Sequence, residues 1–193
     1  MYIPKHFNVT DKEEIISFIK NNSFGQLISS VEGKLFSSHI PFLFNEEDQS
    51  LLCHIAKNNP QWENIEKQEI LITFQGPHDY VSPSWYSTPG VPTWNYQSVH
   101  IYGKPKIIIE REKLGSIVNG MTRIFESTLE KPWEPEYKES MLNAIVGIKI
   151  NITEIQCKYK LSQNRPEEDR LKIIEKHKIR VSSELSKATK NEL

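Results

Sequence analysis

The sequence predicts a mainly β protein, with strands forming a small barrel and helices at its ends. Two observations carry this. Six or seven short runs rich in β-branched and aromatic residues lie between turn signals, at 25–31, 34–44, 51–56, 69–74, 94–109, 145–151 and 154–160. Only a few segments place apolar residues at helical spacing, and they interrupt the strands in mixed order, unlike the regular alternation of a βαβ fold. No internal repeat is visible.

The elements follow in order. Thr10 and Glu13 form a capping box ahead of Ile15, Ile16, Phe18 and Ile19, which predicts a helix over 11–21. Glu32 and Gly33 read as a tight turn between the first two strands. Pro41 cannot donate a ladder bond, so a strand edge or bulge is expected there. The polar stretch 45–50 is a hairpin connection. Asn59 followed by Pro60 marks the start of a short helix reaching about residue 67. Gln75-Gly76-Pro77 ends the fourth strand, and 78–93 is irregular. The run 94–109 is a long strand, with a possible bend at Gly103-Lys104-Pro105. Helical patterns cover 110–129 and 134–143, and two strands close the domain. Residues 166–193 hold no aromatic residue and no glycine. Leu171, Ile174, Val181 and Leu185 predict a peripheral helix over about 167–188.

A chain of 193 residues fits one domain plus an appendage, here 1–165 and 166–193. Lys and Arg number 24 against 25 Asp and Glu, a formal charge of −1. That balance argues against a dedicated nucleic-acid binder, which carries a basic excess or stripe. The tail offers Arg170, Lys172, Lys176, Lys178, Arg180, Lys187 and Lys190, but interleaves them with acids, as a solvated helix does. Cys53 and Cys157 lie far apart, each in an apolar run, and read as two buried reduced thiols. No apolar run approaches the length of a membrane span, and the first residues lack the apolar core of a signal peptide. A cytoplasmic location is expected.

No nucleophile elbow, phosphate loop or dinucleotide fingerprint is present. The six histidines show no metal-ligand spacing, although His39 and His54 could meet across neighbouring strands. Three segments stand out. The stretch 78–102 concentrates Tyr80, Trp85, Tyr86, Trp94, Tyr96 and Tyr102, side chains suited to a flat heterocycle or an interface, and equally to pinning a loop. In His54-Ile55-Ala56-Lys57-Asn58-Asn59-Pro60, a strand end delivers Lys57 to a helix start, where a phosphate can bind; a capped turn with a solvated lysine is the plainer reading. Lys160-Leu161-Ser162-Gln163-Asn164-Arg165 gathers donors and acceptors suited to a flavin edge or a phosphate, or forms a solvated linker.

These segments carry a resemblance. Met1-Tyr2-Ile3-Pro4-Lys5, the 54–62 segment, Phe74-Gln75-Gly76-Pro77-His78, Ser82-Pro83-Ser84-Trp85-Tyr86, Pro92-Thr93-Trp94-Asn95-Tyr96-Gln97, Val99-His100 and the 160–165 segment resemble the PaiB family in order along the chain. Its members are FMN-binding negative transcriptional regulators, and the Bacillus member represses sporulation and degradative-enzyme genes. The resemblance implies a six-stranded split β-barrel, like that of flavin reductases and pyridoxamine phosphate oxidases. It also implies a homodimer with flavin sites at the subunit interface. By analogy with those oxidases, His54, Ala56, Lys57 and Asn59 would hold the FMN phosphate or ribityl chain. Gln97, in the strand with Trp94, would face the ring, and His39 would line the pocket. Lys160, Ser162, Gln163, Asn164 and Arg165 would come from the second subunit.

Three functions follow. The first is a cytoplasmic repressor of the PaiB type, with DNA a partner by resemblance although no DNA-reading element is visible. The second is an FMN-dependent oxidoreductase, in which the flavin carries the electrons and His39, His54 or Tyr96 could donate a proton. The third is a haem-binding split barrel with a histidine axial ligand.

Overall fold

The computed structural model describes residues 1–136, 139–179 and 190. The described elements are β1 (Asn8–Val9), α1 (Lys12–Asn21), β2 (Phe24–Val31), β3 (Lys34–Pro41), β4 (Leu43–Asn45), β5 (Ser50–Ala56), β6 (Ile70–Val81), β7 (Thr93–Ile108), α2 (Arg111–Glu126), β8 (Ile145–Lys160) and α3 (Glu167–Ile179). Short 3-10 helices cover Pro60–Lys67, Pro83–Trp85 and Glu139–Ala144. Seven strands follow the order β3-β2-β6-β7-β8-β5-β4, and β1 pairs off this path with β8. Every pairing with a resolved register is antiparallel. Six strands are longer than three residues, and the expected class, mainly β with peripheral helices, is what the chain adopts. The hydrogen-bonded path is open, running from β3 at one end to β4 at the other.

Contacts divide the chain into two compact units. The first comprises Met1–Phe18, Gln75–Val99 and Gln156–Leu193; the second comprises Ile19–Phe74 and His100–Ile155. In the second unit, β2 and β3 form a hairpin through Glu32 and Gly33, whose φ values of 51° and 78° give the tight turn expected at this two-residue loop. Among the described residues β3 pairs only with β2 and is therefore an edge strand, where Pro41 loses no ladder bond. The expected 34–44 strand breaks after Pro41, and the Phe42 amide instead donates to the Ser23 carbonyl at 2.8 Å. The Phe42 and Phe74 rings meet edge to face at 5.4 Å, among buried Leu27, Leu51, Ile72, Ile101 and Ile148.

Close backbone approach explains a second departure. A Cβ on Gly103 would lie 2.4 Å from the Ile150 Cγ2 and 2.9 Å from the Asn151 carbonyl oxygen. Glycine therefore brings β7 and β8 together here, and β7 runs unbroken through Pro105. β8 likewise runs as one strand where two were expected, because its ends have separate partners: β5 along 145–151 and β1 at Cys157 and Lys158. β6 continues past Gln75-Gly76-Pro77 to Val81. The register with β2 ends at Thr73, so Pro77 lies beyond that neighbour and its missing N–H breaks no bond to it. α2 ends at Glu126, where the Ser127 and Thr128 hydroxyls donate to the Ile124 and Phe125 carbonyls at 2.7 and 2.8 Å. The expected 134–143 helix is reduced to the 3-10 turn Glu139–Ala144, with residues 137 and 138 outside the described set.

In the first unit, α1 is capped by Asp11, one residue after the expected Thr10. Its carboxylate accepts the Glu14 amide at 2.9 Å. Phe18 packs on Tyr159 with ring centres 5.5 Å apart. α3 buries Ile173, Ile174 and His177 while Leu171 is exposed, so its inward face lies one step away from the expected stripe. Val181 and Leu185 lie outside the described residues. Both cysteines are free and buried, as expected. Burial pushes the Cys157 thiol up to about 12 and raises Cys53 further still, which removes both as thiolates at neutral pH. Among the described residues no helix is long and apolar enough to cross a membrane.

Candidate functional site

The first unit assembles one site from three segments. The end of β8 delivers Lys160, and the chain then turns sharply through 161–165. Ser162 occupies the left-handed region with φ 68°, unusual for a non-glycine residue. The turn is held from several directions. The Ser162 hydroxyl donates to the Asn95 carboxamide oxygen at 2.9 Å, and Gln163 accepts the Leu161 amide at 2.7 Å. Gln163 also donates to the Tyr159 carbonyl at 2.8 Å, and the Arg165 amide donates to the Ser162 carbonyl at 2.9 Å.

Lys160 reaches across to β7, donating to the Thr93 hydroxyl and, at 2.7 Å, to the Trp94 carbonyl. Burial lowers its pKa, and the nearby Lys158 lowers it further. Arg165 lies over the Tyr86 ring, 4.1 Å from its centre, and reaches the Pro89 carbonyl at 3.5 Å. Gly90 allows this arrangement. A Cβ there would lie 2.3 Å from the Tyr86 ring and 2.8 Å from the Arg165 Nη2. Phe7, Tyr86, Val91, Thr93, Lys160, Ser162, Asn164 and Arg165 enclose a cavity of about 150 Å³. Its lining holds two cations, hydroxyls and an amide, and no carboxylate. That donor set suits a phosphoryl group or a hydroxylated chain, while the volume is too small for a tricyclic flavin ring.

The aromatic segment divides into two groups. His78 and Tyr80 gather around Trp94, with ring centres 6.5 and 6.1 Å away. Trp85 sets its edge against His177 of α3 at 5.8 Å. Buried Asp169 accepts the Ser87 amide at 2.6 Å and the Thr88 hydroxyl at 3.3 Å, so α3 pins this loop beside the cavity. Gln97 is buried on β7, with its Cβ close to Gly76, whereas Trp94 is 54% exposed.

The remaining expected residues lie in the second unit. His39 is exposed on β3, its ring 6.5 Å from Phe24. It pairs with Gln26 in register, while His54 on β5 pairs with Gly147. The two histidines are therefore not on neighbouring strands, and the expected meeting across a ladder does not occur. A Cβ on Gly147 would lie 2.9 Å from Leu114 of α2, and directly opposed residues share a face, so His54 lies on the α2-covered side. Its Nδ1 is buried without a partner, and burial lowers its pKa. Ala56 and Lys57 are exposed at the strand end. Asn59 caps the 3-10 helix as expected, accepting the Gln61 amide at 3.0 Å. The turn's own contacts occupy the Lys57 amide, bonded to Ala144, and the Asn59 amide, bonded to Ala56. Lys57 thus offers an ammonium with few free amides beside it. Among the described residues no group of three metal-ligating side chains forms.

Tyr86, one of the aromatics singled out in 78–102, lines the cavity, while Val91, Thr93 and Phe7 complete it without having been among the expected site residues. Thr93, next to Trp94 in the aromatic block, was the nearest signal in the sequence. Gln61 was also missed. It is buried, accepts the Ser38 hydroxyl, and donates to Ser29 at 2.8 Å, the Leu27 carbonyl at 3.2 Å and the Phe36 carbonyl at 3.3 Å.

Comparison with known proteins gives these features a context. Residues 1–154 match the family model described as "Putative FMN-binding domain". The 160–165 turn lies just beyond the matched segment. The chain is 45% identical over 183 residues to "Protease synthase and sporulation protein PAI 2" of Bacillus subtilis, covering 91% of this chain and 88% of that protein. It is 31% identical over 163 residues to an uncharacterized protein of Saccharomyces cerevisiae, covering 70% of this chain and 95% of the other. Among solved structures, the flavocytochrome Anf3 of Azotobacter vinelandii matches with TM-score 0.64 at 16% identity, covering 88% of this chain and 78% of that one. A putative 5-nitroimidazole antibiotic resistance protein of Bacteroides thetaiotaomicron matches with TM-score 0.61 at 18% identity, covering 78% and 85%. At these identities the structures show the fold alone, that of the split-barrel flavin-binding class. FMN is the cofactor that the family assignment carries. The chain belongs to the PaiB family of FMN-binding domains.

Proposed function

We propose that this protein is an FMN-binding negative regulator of sporulation and degradative-enzyme genes, acting as a cytoplasmic homodimer. The observation that carries the reading is the 45% identity to the Bacillus subtilis protease synthase and sporulation protein across 91% of the chain. The carboxylate-free cavity supports the ligand. Thr93, Lys160, Ser162, Asn164 and Arg165 would hold the phosphate end of FMN. As the family resemblance implies, the 160–165 segment is the second subunit's contribution to a site. When bound, FMN supplies electron-transfer chemistry at its ring. The chain's part is to hold the anionic end and keep Arg165 aligned on Tyr86. The segment 166–193 is an appendage to a 1–165 domain, and α3 holds the aromatic loop in place.

The test is complementation. Expression of this chain in Bacillus subtilis lacking the PAI 2 protein should restore normal protease output and sporulation, and Arg165→Ala should do so less well. Protease output and sporulation that stay at the level of the deleted strain would contradict the proposal. The alternative, an FMN-dependent oxidoreductase, predicts multiple-turnover oxidation of reduced nicotinamide by the flavin-loaded protein.

A further inference from the structure

A second cavity lies within the second unit. It measures about 380 Å³ and is lined by Phe42, Leu43, Phe44, Met121, Ile124 and Phe125, with Lys20, Ser23 and Glu46 at its polar side. We propose that this cavity binds a compact, uncharged apolar molecule, such as a monocyclic aromatic. Size is the first argument, since the volume falls within the roughly 300–1,000 Å³ typical of small-molecule sites.

Helix α2 provides the second. Leu114, Ile117, Met121 and Ile124 continue one apolar stripe at helical spacing. The first three are each only 4% exposed, whereas Ile124 is 49% and Phe125 44% exposed. A Cβ on Gly120 would lie 3.2 Å from the Leu43 Cδ2, so the helix is close to β4 at that level. Beyond it the stripe outruns its packing partner, and the cavity is the space left over.

Charge decides the ligand class. Lys20 and Glu46 pair with each other, and the Ser23 carbonyl already accepts the Phe42 amide. Lys20 and Glu46 neutralise each other, so the polar side offers neither a carboxylate nor an ammonium an uncompensated opposite charge. A neutral apolar molecule disturbs neither bond. It covers Phe42, Phe44, Ile124 and Phe125, and the flexible Met121 adjusts to its shape.

The test titrates the full chain with N-phenyl-1-naphthylamine, a neutral apolar fluorophore, and then adds toluene or benzoate as competitors. The proposal predicts one saturable site per chain, displaced by toluene at concentrations where benzoate has no effect. Ile124→Trp, which fills the cavity, and Ile124→Asp, which charges its rim, should each weaken the dye at least tenfold. As a measurement needing no variant, toluene should shift the Met121 ε-methyl resonance and leave that of Met1 unmoved. The absence of saturable binding would overturn the proposal. So would equal displacement by benzoate, unchanged affinity in both variants, or an unmoved Met121 methyl.

Discussion

Arg165 lies over the Tyr86 ring, bonds to the Tyr86 side chain and, at 3.5 Å, to the Pro89 carbonyl, and has no carboxylate partner among the described residues. Its remaining guanidinium donors are open to a ligand. Arg165→Ala should weaken FMN binding by about 1–3 kcal/mol, read by flavin fluorescence titration. Arg165→Lys should recover only part of this, because an ammonium cannot supply the planar fork. Unchanged affinity in the alanine variant would remove Arg165 from the site. His54 makes a prediction about stability. Burial lowers its pKa below the ordinary histidine value, so the unfolded chain takes up a proton at higher pH than the folded one. Its contribution is complete above the unfolded value of about 6.5 and is lost as pH falls below it. The urea midpoint should therefore drop between about pH 7 and pH 5. His54→Gln should flatten that drop partly, since His100 is shifted in the same direction by burial. An identical pH profile in the variant would count against this account.

Gln61 joins elements. Its amide ties the 3-10 helix Pro60–Lys67 to both strands of the β2–β3 hairpin through Leu27, Ser29 and Phe36. Gln61→Ala leaves those acceptors unmatched and should cost about 1–3 kcal/mol of unfolding free energy, with faster amide exchange in β3. Stability within experimental error of the wild type would show that the network is dispensable. The hairpin itself was legible, because Glu32 and Gly33 carry a local turn signal and Pro41 a local edge signal. The lengths of β6, β7 and β8 were not. Pro77, Gly103 with Pro105, and the interruption at 152–153 all read locally as breaks, but their consequences depend on which strand lies alongside. The same limit applies to the site. The 160–165 turn stands out as a cluster of donors, whereas Tyr86, Val91 and Phe7 reach the cavity only through folding. For Asn59 the reverse holds: its capping role was readable, but the amides its turn occupies were not.

For the molecule as a whole, the expected class holds, mainly β with peripheral helices, as does membership of a family of FMN binders. The central claim is that the chain holds FMN as a dimer through a carboxylate-free anion site. The most direct measurement is gel filtration with light scattering and an absorption spectrum, after loading with FMN and removing the excess. The account predicts a dimer that carries flavin bands near ~370 and ~450 nm, and a loss of those bands in Arg165→Ala without loss of the dimer. A colourless wild-type protein, or a monomer, would contradict it.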